Sequence, residues 1–150
     1  MTRQNEAFCQ IEEGRATFAF EQVKQAVEKL AGNAQSYKSY VRSLPSLIQV
    51  NGLGQALAFC YARKNKNKYI AYRDIYESIF NWLQRKFPDH FQQESELVEE
   101  AVKLRSEDYR MITMEVLALL NWMGRFAEGM IEDPLREDEE QANPSEGEAL

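Results

Sequence analysis

Apolar residues recur along this chain at alternating steps of three and four, the spacing that lines one face of a helix. Ala16, Phe20, Val23, Val27 and Leu30 form the first such stripe, and Gly32-Asn33 follows as a helix stop. Tyr37, Tyr40, Val41 and Leu44 predict a shorter helix that ends at Pro45, which lacks an N–H and suits the first turn of a new segment. From Leu53 to Tyr61 nearly every position is apolar, including Ala56, Leu57, Ala58, Phe59 and Cys60, the pattern of a central, enclosed helix. Arg63-Lys64-Asn65-Lys66-Asn67-Lys68 then interrupts as a polar loop. Tyr72, Ile75, Ile79 and Trp82 resume the stripe, widened by Tyr76, Phe80 and Leu83, up to Phe87-Pro88-Asp89. Ser95 with Glu96 suits a helix start before Leu97, Val98, Ala101, Val102 and Leu104. Ser106 opens the last helix, with a stripe of Tyr109, Ile112, Val116, Leu119, Met123 and Phe126. No segment shows convincing strand alternation. The expected fold is all-α, a compact bundle of about five to seven helices over residues 1–131.

A chain of 150 residues with 44% apolar content can bury the core of one domain. No apolar run reaches the roughly 18 residues of a membrane span, and no charged-then-apolar leader opens the chain. Two cysteines and one histidine exclude a disulfide scaffold and the usual metal spacings. Cys9 and Cys60 read as free thiols, and the chain as soluble and cytoplasmic.

The net charge of −6 conceals an asymmetry. Residues 131–150 carry eight acids against Arg136 alone, so residues 1–130 are left at +1. Residues 132–150, rich in Glu, Asp, Pro and Gly, cannot bury themselves and are expected to form a disordered acidic tail. Residues 29–73 hold eight bases and no acid: Lys29, Lys38, Arg42, Arg63, Lys64, Lys66, Lys68 and Arg73. Charge runs are commonly solvation alone. Here the missing acids, the mixture of Arg with Lys, and nearby Tyr37, Tyr40 and Tyr69 point instead to a basic face able to neutralise a few phosphates, with the rings available to stack on bases. Lys38 and Arg42 are i,i+4 neighbours on one helical face, and Lys64, Lys66 and Lys68 supply donors from a loop. The RNA-binding candidates are Lys38, Arg42, Lys64, Lys66, Lys68 and Arg73, with the acidic tail expected to screen them from stray polyanions.

Catalytic chemistry finds little support. His90 lies in a connection without a Cys, His or second acid at ligand spacing. Cys60 sits in the most apolar segment, where a thiolate is disfavoured and a small buried hydrophobe is expected. The Glu94–Glu100 stretch lacks the Glu-x-x-His pattern of metal bundles. Asn51-Gly52-Leu53-Gly54 lacks the preceding strand and following Lys of a phosphate loop, so its glycines are read as room for a neighbouring helix. No catalytic residue, metal or cofactor is expected. The competing reading is a small helical, metal-free enzyme of the chorismate-mutase type, which requires Arg15, Arg73 and Arg110 to converge on a carboxylated substrate.

The run Tyr40-Val-Arg-Ser-Leu-Pro-Ser-Leu-Ile-Gln-Val-Asn-Gly-Leu-Gly-Gln-Ala-Leu-Ala-Phe59 resembles the signature of a known family, the small helical subunit of the Cmr (RAMP-module, type III-B) CRISPR effector complex. Arg15–Val23, Tyr76 with Trp82-Leu83, and Tyr109–Thr113 with Leu119–Ala127 match it more weakly, so the resemblance spans residues 14–130. It implies a non-catalytic scaffold that stacks with other Cmr subunits and with further copies of itself, along CRISPR RNA paired with target RNA. Leu44, Pro45, Ile48, Asn51, Gly52, Leu53, Leu57 and Phe59 carry over as fold-forming positions. The acidic tail departs from the family pattern.

Overall fold

A computed structural model describes residues 14–132. Its helices are α1 (Arg15–Leu30), α2 (Ala34–Asn51), α3 (Leu53–Arg63), α4 (Ile70–Lys86), α5 (Leu97–Val102) and α6 (Ser106–Met130). Short 3-10 turns at Ala31–Asn33 and Asn67–Tyr69 lead into α2 and α4, and the described residues contain no strand. The all-α expectation holds. The boundary expected between residues 131 and 132 falls at the edge of the described region; residues 133–150, and Cys9 with the rest of residues 1–13, lie outside it.

α6, at 25 residues and roughly 37 Å, is the spine. α1 and α2 pack along it, α3 and α4 close the bundle against α2, and α5 covers α3. Ile112, Val116, Leu119, Leu120, Met123 and Ala127 are fully buried on the inner face of α6.

Three expectations need correction. α2 does not stop at Pro45 but runs through it to Asn51. Val41, Leu44 and Ile48 form one buried stripe across the proline. Burying such side chains is worth about 1.5–3 kcal/mol each, which outweighs the roughly 3 kcal/mol that an interior proline costs. In α1 the buried face is Ala16, Phe18, Ala19, Val23, Ala26 and Leu30, while Phe20 stands 44% exposed, edge-on to Phe126 at 5.3 Å. The three alanines permit close helix approach and turn the stripe toward Phe18. α3 is not enclosed either: Leu53, Ala56, Leu57 and Cys60 are buried, but Ala58, Tyr61 and Ala62 are exposed. The apolar outer face of α3 reflects alanine content more than burial.

Asn51-Gly52-Leu53-Gly54 makes the sharp junction between α2 and α3. Gly52 adopts φ +88°, the left-handed region that favours glycine. The Gly54 N–H donates to Tyr109 Oη at 2.8 Å, so a phenol from α6 satisfies a donor in the first turn of α3. A Cβ at Gly52 would lie 3.2 Å from that same oxygen. The glycines thus admit a side chain, not a whole helix.

Glu115 is the buried carboxylate of the core. Arg15 Nε and Nη2 donate to its two oxygens at 2.8 Å each, and Trp82 Nε1 donates to Oε1 at 2.8 Å. Lys86 Nζ lies 3.7 Å from Oε2. Burial pushes the Glu115 carboxyl upward, but the hydrogen bonds from Arg15 and Trp82 and both neighbouring cations overcome it and hold the group below its ordinary value.

Candidate nucleic-acid interface

The six basic candidates separate into two groups. On α2, Lys38 and Arg42 project one turn apart toward the end of α6. Lys38 Nζ donates to the Ile131 carbonyl oxygen at 3.0 Å, a cation at a helix C-terminus. Arg42 Nε lies 3.1 Å from Glu128 Oε1, with both side chains about half exposed. Gln35 Nε2 donates to the Glu132 carbonyl oxygen at 3.4 Å. Gln35, Lys38, Arg42 and Glu132, with Ser39 and Ser43, line an open cleft of about 470 Å³.

The second group gathers around the 63–69 connection. Lys66 and Lys68 are exposed and make no ion pair among the described residues, Lys68 Nζ lying 5.5 Å from the Tyr69 ring centre. Lys64, expected in the exposed loop, is instead tucked in. Its Nζ sits 3.6 Å from Glu96 Oε1 and 4.9 and 5.1 Å from the Tyr61 and Tyr76 rings. Glu96 also accepts a hydrogen bond from Tyr76 Oη, which itself accepts one from Val98 N–H at 3.1 Å. Arg73 stands exposed on α4 with Glu77 at 3.2 Å. Arg63, not selected from the sequence, lies 3.5 Å over the Phe59 ring and donates to the Phe59 carbonyl at 3.1 Å. The i,i+4 spacing of Phe59 and Arg63 on one helix carried that signal.

The tyrosines contribute less than their positions suggested. Tyr37 is fully buried, and burial raises its hydroxyl pKa far above the ordinary value. Tyr40 stacks on Tyr72 at 3.9 Å, and Tyr69 is half-buried with its ring 6.3 Å from Tyr72. Tyr40 is two positions from Lys38, about 200° around α2. It therefore faces the loop group, away from the Lys38–Arg42 cleft.

The acid-free stretch of sequence is not acid-free in space. Asp74 pairs with Lys29 at 3.2 Å, and Glu77, Glu96 and Glu128 approach Arg73, Lys64 and Arg42. These acids lie outside residues 29–73 in sequence; Glu77 reaches Arg73 one turn along the same helix, and Asp74, Glu96 and Glu128 are brought back by the packing. What remains outward is modest in charge: Lys66 and Lys68, then the Lys38–Arg42 cleft.

The arginine cage required by the enzyme reading does not form. Arg15 is engaged with Glu115, whereas Arg73 and Arg110 are exposed on outer faces. Cys60 is fully buried, and burial pushes its thiol up to about 12 despite the lowering pull of Arg63. His90 Nε2 lies 3.4 Å from Asp108 Oδ2 at the surface. Among the described residues no cluster of His, Cys, Asp and Glu is placed to hold a metal, and no described helix is long and apolar enough to cross a membrane.

A tight apolar core under paired surface charges, with open clefts at its margins, defines a small all-α bundle protein. A family model described as CRISPR-associated protein (Cas_Cmr5) matches residues 11–130. The chain belongs to the Cmr5 family of CRISPR-associated proteins, the small Cmr subunits that the Tyr40–Phe59 run resembles. The CRISPR system Cmr subunit Cmr5 of Thermus thermophilus is 31% identical over 115 residues, covering 77% of this chain and 90% of that protein. An X-ray structure of a CRISPR-associated Cmr5 family protein from the same organism superposes with a TM-score of 0.63 at 30% identity, covering 79% of this chain and 95% of the other.

Proposed function

We propose that this chain is a non-catalytic structural subunit of a type III-B CRISPR effector complex. It packs against other Cmr subunits and further copies of itself, and it touches the backbone of CRISPR RNA and target RNA. Family membership supports the subunit role. The observation that carries the RNA contact is the exposed pair Lys66 and Lys68, on a connection pinned at one end by Arg63 over Phe59 and by Lys64 against Glu96. Two ammonium groups without base-reading geometry suit phosphates, and guide–target pairing then reads sequence, as in other RNA-guided effectors. Lys38 and Arg42 form a second contact, Arg73 flanks the loop group, and Lys64 holds the loop in place.

The test reverses Lys66→Glu and Lys68→Glu in the assembled complex. Target affinity should fall alike for every guide sequence, and each lost phosphate contact should flatten the log–log salt dependence by about 0.7 to 0.9. Unchanged affinity at low salt would show that the loop is only solvated. Loss of assembly before any loss of RNA affinity would make the loop a protein interface.

A further inference from the structure

The cleft beside Lys38 and Arg42 is the point at which the chain leaves the described bundle. Glu132 lines it, and its backbone carbonyl accepts the Gln35 side-chain hydrogen bond. Lys38 holds the preceding carbonyl, and Arg42 already meets Glu128 one turn back on α6. The Glu128 carboxylate and two backbone carbonyls at the end of α6 are therefore laid against the two cations of α2, and the sequence beyond is acidic. Residues 133–150 add Asp133, Glu137, Asp138, Glu139, Glu140, Glu146 and Glu148 against Arg136 alone.

We propose that the acidic segment 133–150 docks in cis in the cleft between α2 and the end of α6, with Lys38 and Arg42 as its cationic anchors. Reach is ample. Residues 133–140 extend up to roughly 27 Å at about 3.3–3.6 Å per residue, whereas Gln35 to Ser43 spans about 12 Å of helix. The tether supplies an effective concentration on the order of millimolar, so weak, screened contacts are enough to populate the docked state. Lys66 and Lys68 belong to the other group, whereas the described chain ends at Glu132 inside the α2 cleft itself, so proximity favours that cleft as the site. The carboxylates there stand where phosphates would otherwise approach. This consequence rests on the RNA reading above; the docking itself does not.

The docking is tested in the full-length chain by zero-length carbodiimide coupling of carboxylates to amines, followed by peptide mass spectrometry. Glu137–Glu140 should couple to Lys38 in excess over the exposed Lys24, Lys66 and Lys68, and the excess should vanish at about 0.5 M salt, where charges a few ångströms apart are screened. Even coupling to all four lysines, or coupling centred on Lys66 and Lys68, overturns the proposal. A second arm uses single-stranded RNA of mixed sequence. Glu137→Gln, Asp138→Asn, Glu139→Gln and Glu140→Gln together should tighten its binding about two- to ten-fold, the factor by which a partly occupied site lowers apparent affinity. The gain should be absent in a Lys38→Gln, Arg42→Gln background. If the Lys38 coupling is found but neutralising Lys38 and Arg42 leaves RNA affinity unchanged, the docking stands and the RNA contact at this cleft is what fails.

Discussion

Replacing Glu115 by Gln keeps the shape of the side chain and removes the charge that Arg15 and Lys86 surround. The Glu115 side chain is 10% exposed and Arg15 only 14%, so a guanidinium that loses this carboxylate has little water to replace it. Removing one member of a buried ion pair costs about 3–5 kcal/mol, because the remaining charge is left uncompensated. The lower end applies here: the Gln carbonyl can still accept the Trp82 Nε1 bond, and Lys86, at 22% exposed, can turn outward. Urea unfolding followed by tryptophan emission is the assay, with only Trp82 and Trp122 contributing. With a slope of about 1–3 kcal/mol per molar for a small domain, the midpoint should fall by roughly 1–3 M. The companion variant, Arg15→Met with Glu115→Gln, removes both charges together while leaving Trp82 Nε1 its acceptor, and should recover most of the loss. The pH dependence has a definite sign. The folded carboxyl sits below its ordinary 4.5, so its contribution is present above pH 4.5 and is lost as pH falls through the folded value. The stability gap between the native chain and Glu115→Gln should therefore close on acidification below pH 4.5. A midpoint within about 0.3 M of the native chain, or a double variant no more stable than Glu115→Gln, would refute the reasoning.

Two further substitutions probe the fold. The Tyr37 hydroxyl is buried without a hydrogen-bond partner among the described residues, so Tyr37→Phe should leave the melting temperature unchanged or raise it, by up to about 1–3 kcal/mol of relieved desolvation. A clear fall in melting temperature would mean that the hydroxyl has a partner. Tyr109→Phe strips the acceptor from the Gly54 N–H and should cost about 1–2 kcal/mol in chemical denaturation, and no loss would show that water replaces the phenol.

The helices were legible because their signals are local. Gly32-Asn33 marks the end of α1 and Ser106 the start of α6, where each residue's own preference and its neighbours' spacing agree. Pro45, Phe20 and the outer face of α3 were misread for one shared reason: each depends on what another helix does. Whether α2 continues through a proline is decided by the stripe it buries, and the facing direction of α1 by alanines that let a neighbour approach. The charged surface was legible in its residues and not in its pairings. Arg42 with Glu128 and Lys64 with Glu96 join positions far apart in sequence, so an acid-free window says little about the acids that packing returns to it. Glu115 did leave a trace, as an acid beside Val116 inside an otherwise apolar stripe, and Arg15 was its distant answer.

The pairing of Arg15 with Glu115 spans 100 positions, and α1 takes much of its cover from α6. During synthesis at about 5–20 residues per second, the first helix therefore waits roughly 5–20 s for its principal neighbour to be made. Through that interval the apolar side of Arg15–Leu30 has only transient cover. Completion of the bundle is an event of the last helix, when beginning and end of the domain meet and the stapled carboxylate closes the ring of helices around it.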